Sequence, residues 1–454
     1  MSELVVDWTT GQIKSSQSVK EGTEWLLVVC SDWAPVRNYA QPLLRDPSKF
    51  YGDILPVIRD ATISVVNVEC VLGGDRYSPI VKSGPNLCAP EEAVNALKVV
   101  PFHLACLANN HTMDYGPGGL AKMLRLLREN HIQTIGAGLS AGEAEDPIFF
   151  DLGDVRLAII NAVEGEEGRS VGGGPGVADF AQDRLCLQVT ELKKETDVVV
   201  AICHAGREYV PLPPPYVYRT YRAIVDAGAD LVVGHHPHVP QGVEIYNGCS
   251  IVYSLGNFCF WSVSPLDFRH LGFLFKARFI GSKLSSAEII PYGLLPSRLT
   301  LLSGDDKVSF LSELEKISAV LKDPVQVEEV WNAFADEWFD RRCASEIGEF
   351  ASSLVDEFIL LKAILRRLAR RFKIFCRHRL LGNYKSVVEY RSTGASNPSS
   401  PSQSVRGAIA LWNRFETAAH RELYLKVLER ARTGAIGTAP NWARNMLKQW
   451  GTFD

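Results

Sequence analysis

No run in this chain approaches the ~18 consecutive apolar residues that a membrane span requires, and no CxxC pair occurs among its ten cysteines. The opening residues, MSELVVDWTTGQIKSSQSVK, lack a basic start followed by an apolar run, so no secretory signal is expected. The cysteines are scattered, several of them inside apolar runs such as HLACLA around Cys106 and VVVAIC ending at Cys203. A free thiol in such a setting behaves as a small buried hydrophobe. A disulfide scaffold is therefore not expected, and a reducing, cytoplasmic location is. Charge of one sign is also not in excess: the net charge is −4 over 454 residues, which gives no reason to expect a nucleic-acid partner. Hydrophobic residues make up 46% and charged residues 22%, sufficient for a full core, so function must be sought locally.

What is present is alternation. WLLVVC (25–30), ISVVNV (63–68), FHLACLA (102–108), VRLAIIN (155–161), DVVVAIC (197–203) and DLVVGH (230–235) read as strands. Most are continuously apolar, which suits strands covered on both faces. Amphipathic helices fall between them, over 118–130 through Leu120, Met123, Leu124 and Leu127, and over 215–227 through Val217, Tyr221, Ile224 and Val225. Hairpins are expected at Leu152-Gly153-Asp154 and Asn247-Gly248. The Gly-rich stretch 163–179 is a long surface loop of the kind that borders a site. Strands and helices in alternation give an α/β domain over 24–310.

Beyond about residue 310 the character changes. Residues 325–391 read as a helical region, acidic and then basic: 328–357 holds nine acidic residues opposed only by Arg341 and Arg342. Residues 362–379 carry eight Lys and Arg and no acid. That basic stretch has two readings, a helix making weak contact with an anionic membrane surface or a tertiary helix paired with the acidic block. Residues 392–404 (STGASNPSSPSQS) form a flexible linker, and 405–450 a final helical segment.

The chemistry-bearing residues fall at the ends of the expected strands, where sites form in α/β sheets. Asp32 follows WLLVVCS, Glu69 follows ISVVNV, and Asn110 and His111 follow FHLACLA. His204 follows DVVVAIC, and His235, His236 and His238 follow DLVVG. A single strand-end Asp or His is more often a cap or a hydrogen-bonded structural residue. Three imidazoles in four residues are hard to explain as packing, because each needs a partner once desolvated. Carboxylate, amide and imidazole donors without thiolate suit one or two divalent ions (Mn, Fe or Zn) rather than a structural zinc–cysteine site. The i, i+2 spacing of His236 and His238 suggests one extended strand end offering both rings.

At these residues the chain resembles the CapA family of poly-gamma-glutamate capsule-synthesis proteins, related to calcineurin-like metallophosphatases. The segments that carry the resemblance are VVNVEC (65–70), LANNHTMDYGPGGL (107–120), GAGLS (136–140), HAGREY (204–209), DAGADLVVGHHPHVPQGVEIYNG (226–248) and IVYSLGNF (251–258). The resemblance covers roughly residues 24–300 and implies a metallophosphatase-like layered sandwich, β-sheets flanked by helices, followed by an α-helical C-terminal region. It implies that Asp32 and His238 bind a first metal, that Asn110, His204 and His236 bind a second, and that Glu69 bridges the two. His111 would stand beside the substrate as general acid or charge stabiliser, and His235 would support the ligands or replace one. Ala34 occupies a position where metallophosphatases usually have His, and Ser31 stands where Gly is usual. The first metal is thus left with three protein ligands. Lys82, Arg207, Glu208 and Asn257 are candidate substrate contacts, with surface salt bridges the plain alternative for Lys82 and Arg207. The expected function is hydrolysis of an anionic small molecule or polymer, a phosphoester or a polyglutamate-type chain, in capsule biosynthesis. The alternative is a non-catalytic, metal-containing polymer-binding component of a capsule synthesis or export assembly.

Overall fold

The structure, a computed structural model, describes residues 4–16, 21–82, 84–165, 168, 173–261, 267–343 and 417–452. The basic stretch 362–379, the linker 392–404 and the acidic residues beyond 343 lie outside the described residues.

Two sheets face each other. The first holds a parallel half, Glu24–Trp33, Ile63–Val68, Leu104–Cys106 and Gln133–Ile135, in that order. It continues on its other side as an antiparallel half through Leu271–Ile280, Lys283–Leu295, Gln12–Ser15 and Leu4–Asp7. The second sheet runs Ile148–Leu152, Val155–Val163, Val198–His204, Leu231–His235, Cys249–Val252, Val243–Tyr246, with a parallel centre and an antiparallel hairpin at each edge.

The apolar runs explain this layering. Side chains alternate across a strand, so an uninterrupted run must bury both faces. Val198, Val200 and Ile202 point into the space between the sheets, where they join Leu27, Val29, Ile63 and Val65. Their neighbours Val199, Ala201 and Cys203 face outward beneath the Gln182–Leu192, Pro215–Asp226 and Pro324–Trp338 helices. Val28, Cys30 and Val66 face outward from the first sheet beneath Ile54–Arg59, Val94–Val99 and Gly116–Glu129. The result is helix, sheet, sheet, helix. Among the described residues, no helix is long and apolar enough to cross a membrane.

Several elements differ from the sequence reading. The run 102–108 is a strand only over Leu104–Cys106, because the chain then leaves the sheet and the Ala108 N–H is taken by Asn161 Oδ1 at 2.8 Å. The first sheet begins at Leu4, not near 24, and it gains two long strands after residue 270. At the other end, the Ala418–Arg432 and Asn441–Gln449 helices pack on Pro324–Trp338 through Leu423, Val427, Leu447 and Trp450. Asp336 anchors them: its buried carboxylate accepts from Arg430 Nε and Nη2, each at 2.8 Å, and from Arg444 Nη2 at 3.2 Å.

Candidate metal centre

The parallel strands of both sheets end on the same side, which converts sequence-distant residues into neighbours. Asp32 and Asn67 are partners in register, as are His204 and His235. Glu69 follows directly, its N–H bonded to Trp33 O at 3.0 Å. The HHPH segment departs from expectation. Its strand stops at His235, and His236 (φ 99°) and His238 (φ 58°) both have left-handed backbone. The two rings reach the centre through a tight, strained turn and not through an extended strand end, a conformation that persists only where the surroundings enforce it.

Two groups of donors result, Glu69–His204–His236 and Asp32–Glu69–His238, all buried, with Glu69 common to both. In the first, His204 Nε2 lies 3.0 Å from His236 Nδ1, 3.0 Å from Asn110 Oδ1 and 3.4 Å from Glu69 Oε1. In the second, Asp32 Oδ2 is 3.4 Å from His238 Nδ1, and Glu69 Oε1 is 3.7 Å from His238 Nε2. Ligands ~2.1 Å from a shared cation sit about 3.0 Å apart at right angles and about 3.4 Å apart in a tetrahedron. The spacings of the first group fit that geometry. The chemistry fits too. Two imidazole nitrogens, a carboxylate oxygen and an amide oxygen converge, a donor set that suits a divalent cation. Asp32 Oδ2 is buried without a hydrogen bond, an arrangement that a cation relieves.

The protonation states follow from position. Burial alone would raise the Asp32 carboxyl; His235 and His238 beside it reverse this and hold it well below the usual range. Burial lowers His204 and His236, keeping their ring nitrogens available as ligands. Burial would also lower His238, but Glu69 and Asp32 outweigh it and hold the ring well above its ordinary value. His238 Nδ1 faces Asn257 Oδ1 at 2.9 Å, the kind of partner that orients a ligating imidazole. Asn257 spends its remaining donors on His238 O and Arg269 O, so it sits behind His238. His235 has Nδ1 at 3.4 Å from Asp32 Oδ1 and at 3.5 Å from Ser31 Oγ.

His111 lies beside this group, next to Asn110. Its Nδ1 bonds to Asp114 Oδ2 at 2.7 Å, and Lys82 Nζ approaches the same nitrogen at 3.2 Å. Burial first, and Lys82 second, push His111 down to about 4. Lys82 is itself paired with Asp114, both side chains being almost wholly buried, and donates to Asn110 O at 3.0 Å, so it adjoins the centre. Glu208 lies on the loop past His204: burial would raise its carboxyl, but the charges of His238, His236 and Arg207 outweigh this and lower it. Arg207 is partly buried and donates from Nη1 to His420 Nε2 at 2.7 Å.

Four residues escaped the sequence reading. Asn67 Nδ2 reaches both Asp32 Oδ1 (2.8 Å) and His204 Nδ1 (3.2 Å), joining the two donor groups from behind. Asn161, Asp114 and Glu164 are similarly buried and bonded. The signal for the two amides was available: a lone Asn inside ISVVNV or VRLAIIN is costly to bury unless it has a partner.

Fold and site together define a layered α/β protein with donors for one or two cations at the strand ends. Residues 15–262, more than half of the chain, match the family described as bacterial capsule synthesis protein PGA_cap, and the chain belongs to that family. It is 38% identical over 173 residues to the PGA biosynthesis protein CapA of Bacillus subtilis, covering 37% of this chain and 46% of that protein. It is 35% identical over 181 residues to the capsule biosynthesis protein CapA of Bacillus anthracis, covering 38% and 44%. The chain thus spans less than half the length of these curated relatives. Likeness to solved structures is remote: the calcineurin-like phosphoesterase YfkN of Bacillus subtilis aligns over 66% of this chain and all of that one, at 12% identity and a TM-score of 0.36.

Proposed function

We propose that this chain is a divalent-metal-dependent hydrolase acting on an anionic substrate, a phosphoester or an anionic polymer of the polyglutamate type, in capsule-polymer metabolism. The observation that carries the reading is the convergence of His236 Nδ1, Asn110 Oδ1 and Glu69 Oε1 on His204 Nε2, each within 3.0–3.4 Å of it. These four would hold one ion, and Asp32, Glu69 and His238 a second. When bound, such ions lower the pKa of water and offset charge developing on oxygen. The chain's own residues do the rest. Asp114 holds the Nδ1 side of His111, which leaves Nε2 as the nitrogen that can meet a leaving group. With its pKa near 4 the ring is neutral at pH 7, so service as a general acid requires the negative charge of a bound substrate to restore its proton. Family membership and the names of the Bacillus relatives support the capsule context.

The test is metal analysis of the wild type beside His204→Ala and His236→Ala, followed by hydrolysis of an aryl phosphate with added Mn²⁺. Two ions in the wild type, fewer in both variants and turnover lost with His236→Ala are expected. Equal trace metal in all three proteins refutes the centre. A single tight ion without turnover favours the polymer-binding alternative, for which the three-ligand Asp32 group already gives a reason.

A further inference from the structure

We infer that the C-terminal segment 417–452 is a working part of this centre: it fixes the Arg207 guanidinium, through His420, for an anionic group of the substrate. This rests on the hydrolase reading above. The segment lies outside the residues that match the family, yet it meets the centre at two points.

The first is Arg207 itself. It stands three residues past His204 on a loop whose backbone is tied to the HHPH turn, with Ala205 N–H to His235 O at 3.1 Å and Tyr209 N–H to Pro237 O at 2.8 Å. A guanidinium can only donate. His420 Nε2, 2.7 Å from Arg207 Nη1, must therefore be the lone-pair nitrogen. That places the ring proton on Nδ1, which lies 2.6 Å from Thr417 Oγ1. His420 is thus a neutral acceptor that orients the guanidinium. Arginine held in one orientation is suited to bidentate recognition of phosphate or carboxylate.

The second is Glu164, in the Gly-rich stretch that borders the centre. Its N–H bonds to His204 O at 2.9 Å. Its carboxylate accepts from Gly206 N–H at 2.9 Å, from Tyr216 Oη, and from Ala419 N–H in the first turn of the Ala418–Arg432 helix. One buried carboxylate therefore holds both the loop that carries Arg207 and the helix that carries His420.

The experiment uses the full-length protein with Mn²⁺ and inorganic phosphate as the probe, by calorimetry, and the aryl phosphate for kinetics. Arg207→Ala and His420→Ala are each expected to weaken phosphate binding roughly 10-fold or more. The loss should appear in KM more than in kcat, with metal content retained. The double variant should be no weaker than Arg207→Ala alone, and His420→Gln, which keeps an acceptor, should recover part of the loss. A metal-loaded wild type whose phosphate affinity is unmoved by His420→Ala, or a double variant with additive losses, overturns the inference while leaving the hydrolase reading intact. A wild type that binds neither metal nor phosphate overturns both.

Discussion

Asp336→Ala should release the C-terminal helices while leaving the two-sheet core folded. The Asp336 carboxylate is fully buried and bonds to Arg430 through both oxygens at 2.8 Å, to Arg444 at 3.2 Å and to Ala439 N–H at 3.2 Å. Arg430 is itself only 8% exposed, so truncating the aspartate strands a guanidinium in a poorly solvated place. Breaking such a pair from one side costs ~3–5 kcal/mol. The cost falls on docking, because these contacts join Pro324–Trp338 to the Ala418–Arg432 and Asn441–Gln449 helices and the loop between them and reach no sheet strand. If the penalty is expressed as local opening, amide protection over 418–449 should fall by roughly 10²- to 10⁴-fold, while protection in Val198–His204 stays at its wild-type level. Asp336→Asn, which retains one acceptor, should fall between. Hydrogen exchange read by mass spectrometry resolves these segments directly. Wild-type protection over 418–449 in the Ala variant would refute the assignment of Asp336 as the anchor. The same variant should also show the weakened phosphate binding expected of His420→Ala, since undocking removes His420 from Arg207.

Two further predictions follow from single side chains. Asn67→Ala removes the amide between Asp32 and His204, taking one buried partner from each; a loss of ~1–3 kcal/mol in stability and of about 10–100-fold in Mn²⁺ affinity is expected by denaturant titration and calorimetry, and unchanged metal affinity would show that Asn67 is packing alone. His103 accepts from Ser64 N–H at 3.1 Å, and burial lowers its pKa from 6.5, so the unfolded chain takes up its proton first. Its contribution is complete above pH 6.5 and is lost as pH falls from there toward the lowered folded value. His103→Gln should flatten that part of the stability–pH profile, and an identical slope in the variant would assign the dependence elsewhere.

The sequence was most readable where burial is two-sided. Ile63–Val68 and Leu231–His235 lie within a residue of their expected bounds because an uninterrupted apolar run has few alternatives to a covered strand. Leu271–Ile280 and Lys283–Leu295 went unread for a different reason. Their partners are distant in the chain, Ala277 facing Leu27 for example, and a register shift at Arg278 breaks the alternation that would mark them. At the site, donors placed just past strands were legible from position alone. Asn67 and Asn161 lie within strands, where their apolar neighbours set the pattern and the only signal is the cost of burying an amide without a partner. His420 had no sequence signal: it is one polar residue in an amphipathic helix, and only the docking of that helix brings it to Arg207.

The strain at the centre accounts for the bracing around it. His236, His238 and Tyr209 all hold left-handed backbone, at a cost of order 1–3 kcal/mol each. Such a turn relaxes unless its two flanks are held independently. One flank is held by the sheet, through the parallel register of His204 with His235 and the bond from Ala205 N–H to His235 O. The other is held by side chains, with Asn257 on His238, and Gln241 Nε2 donating to Val210 O at 2.8 Å. The loop between, 205–209, reaches the HHPH turn by backbone bonds at its ends only, so its middle depends on Glu164 at Gly206 and His420 at Arg207. Residues beyond the family match therefore complete the support of a loop within it, and the geometry of His204 cannot be treated as independent of a helix more than 200 residues away in the chain.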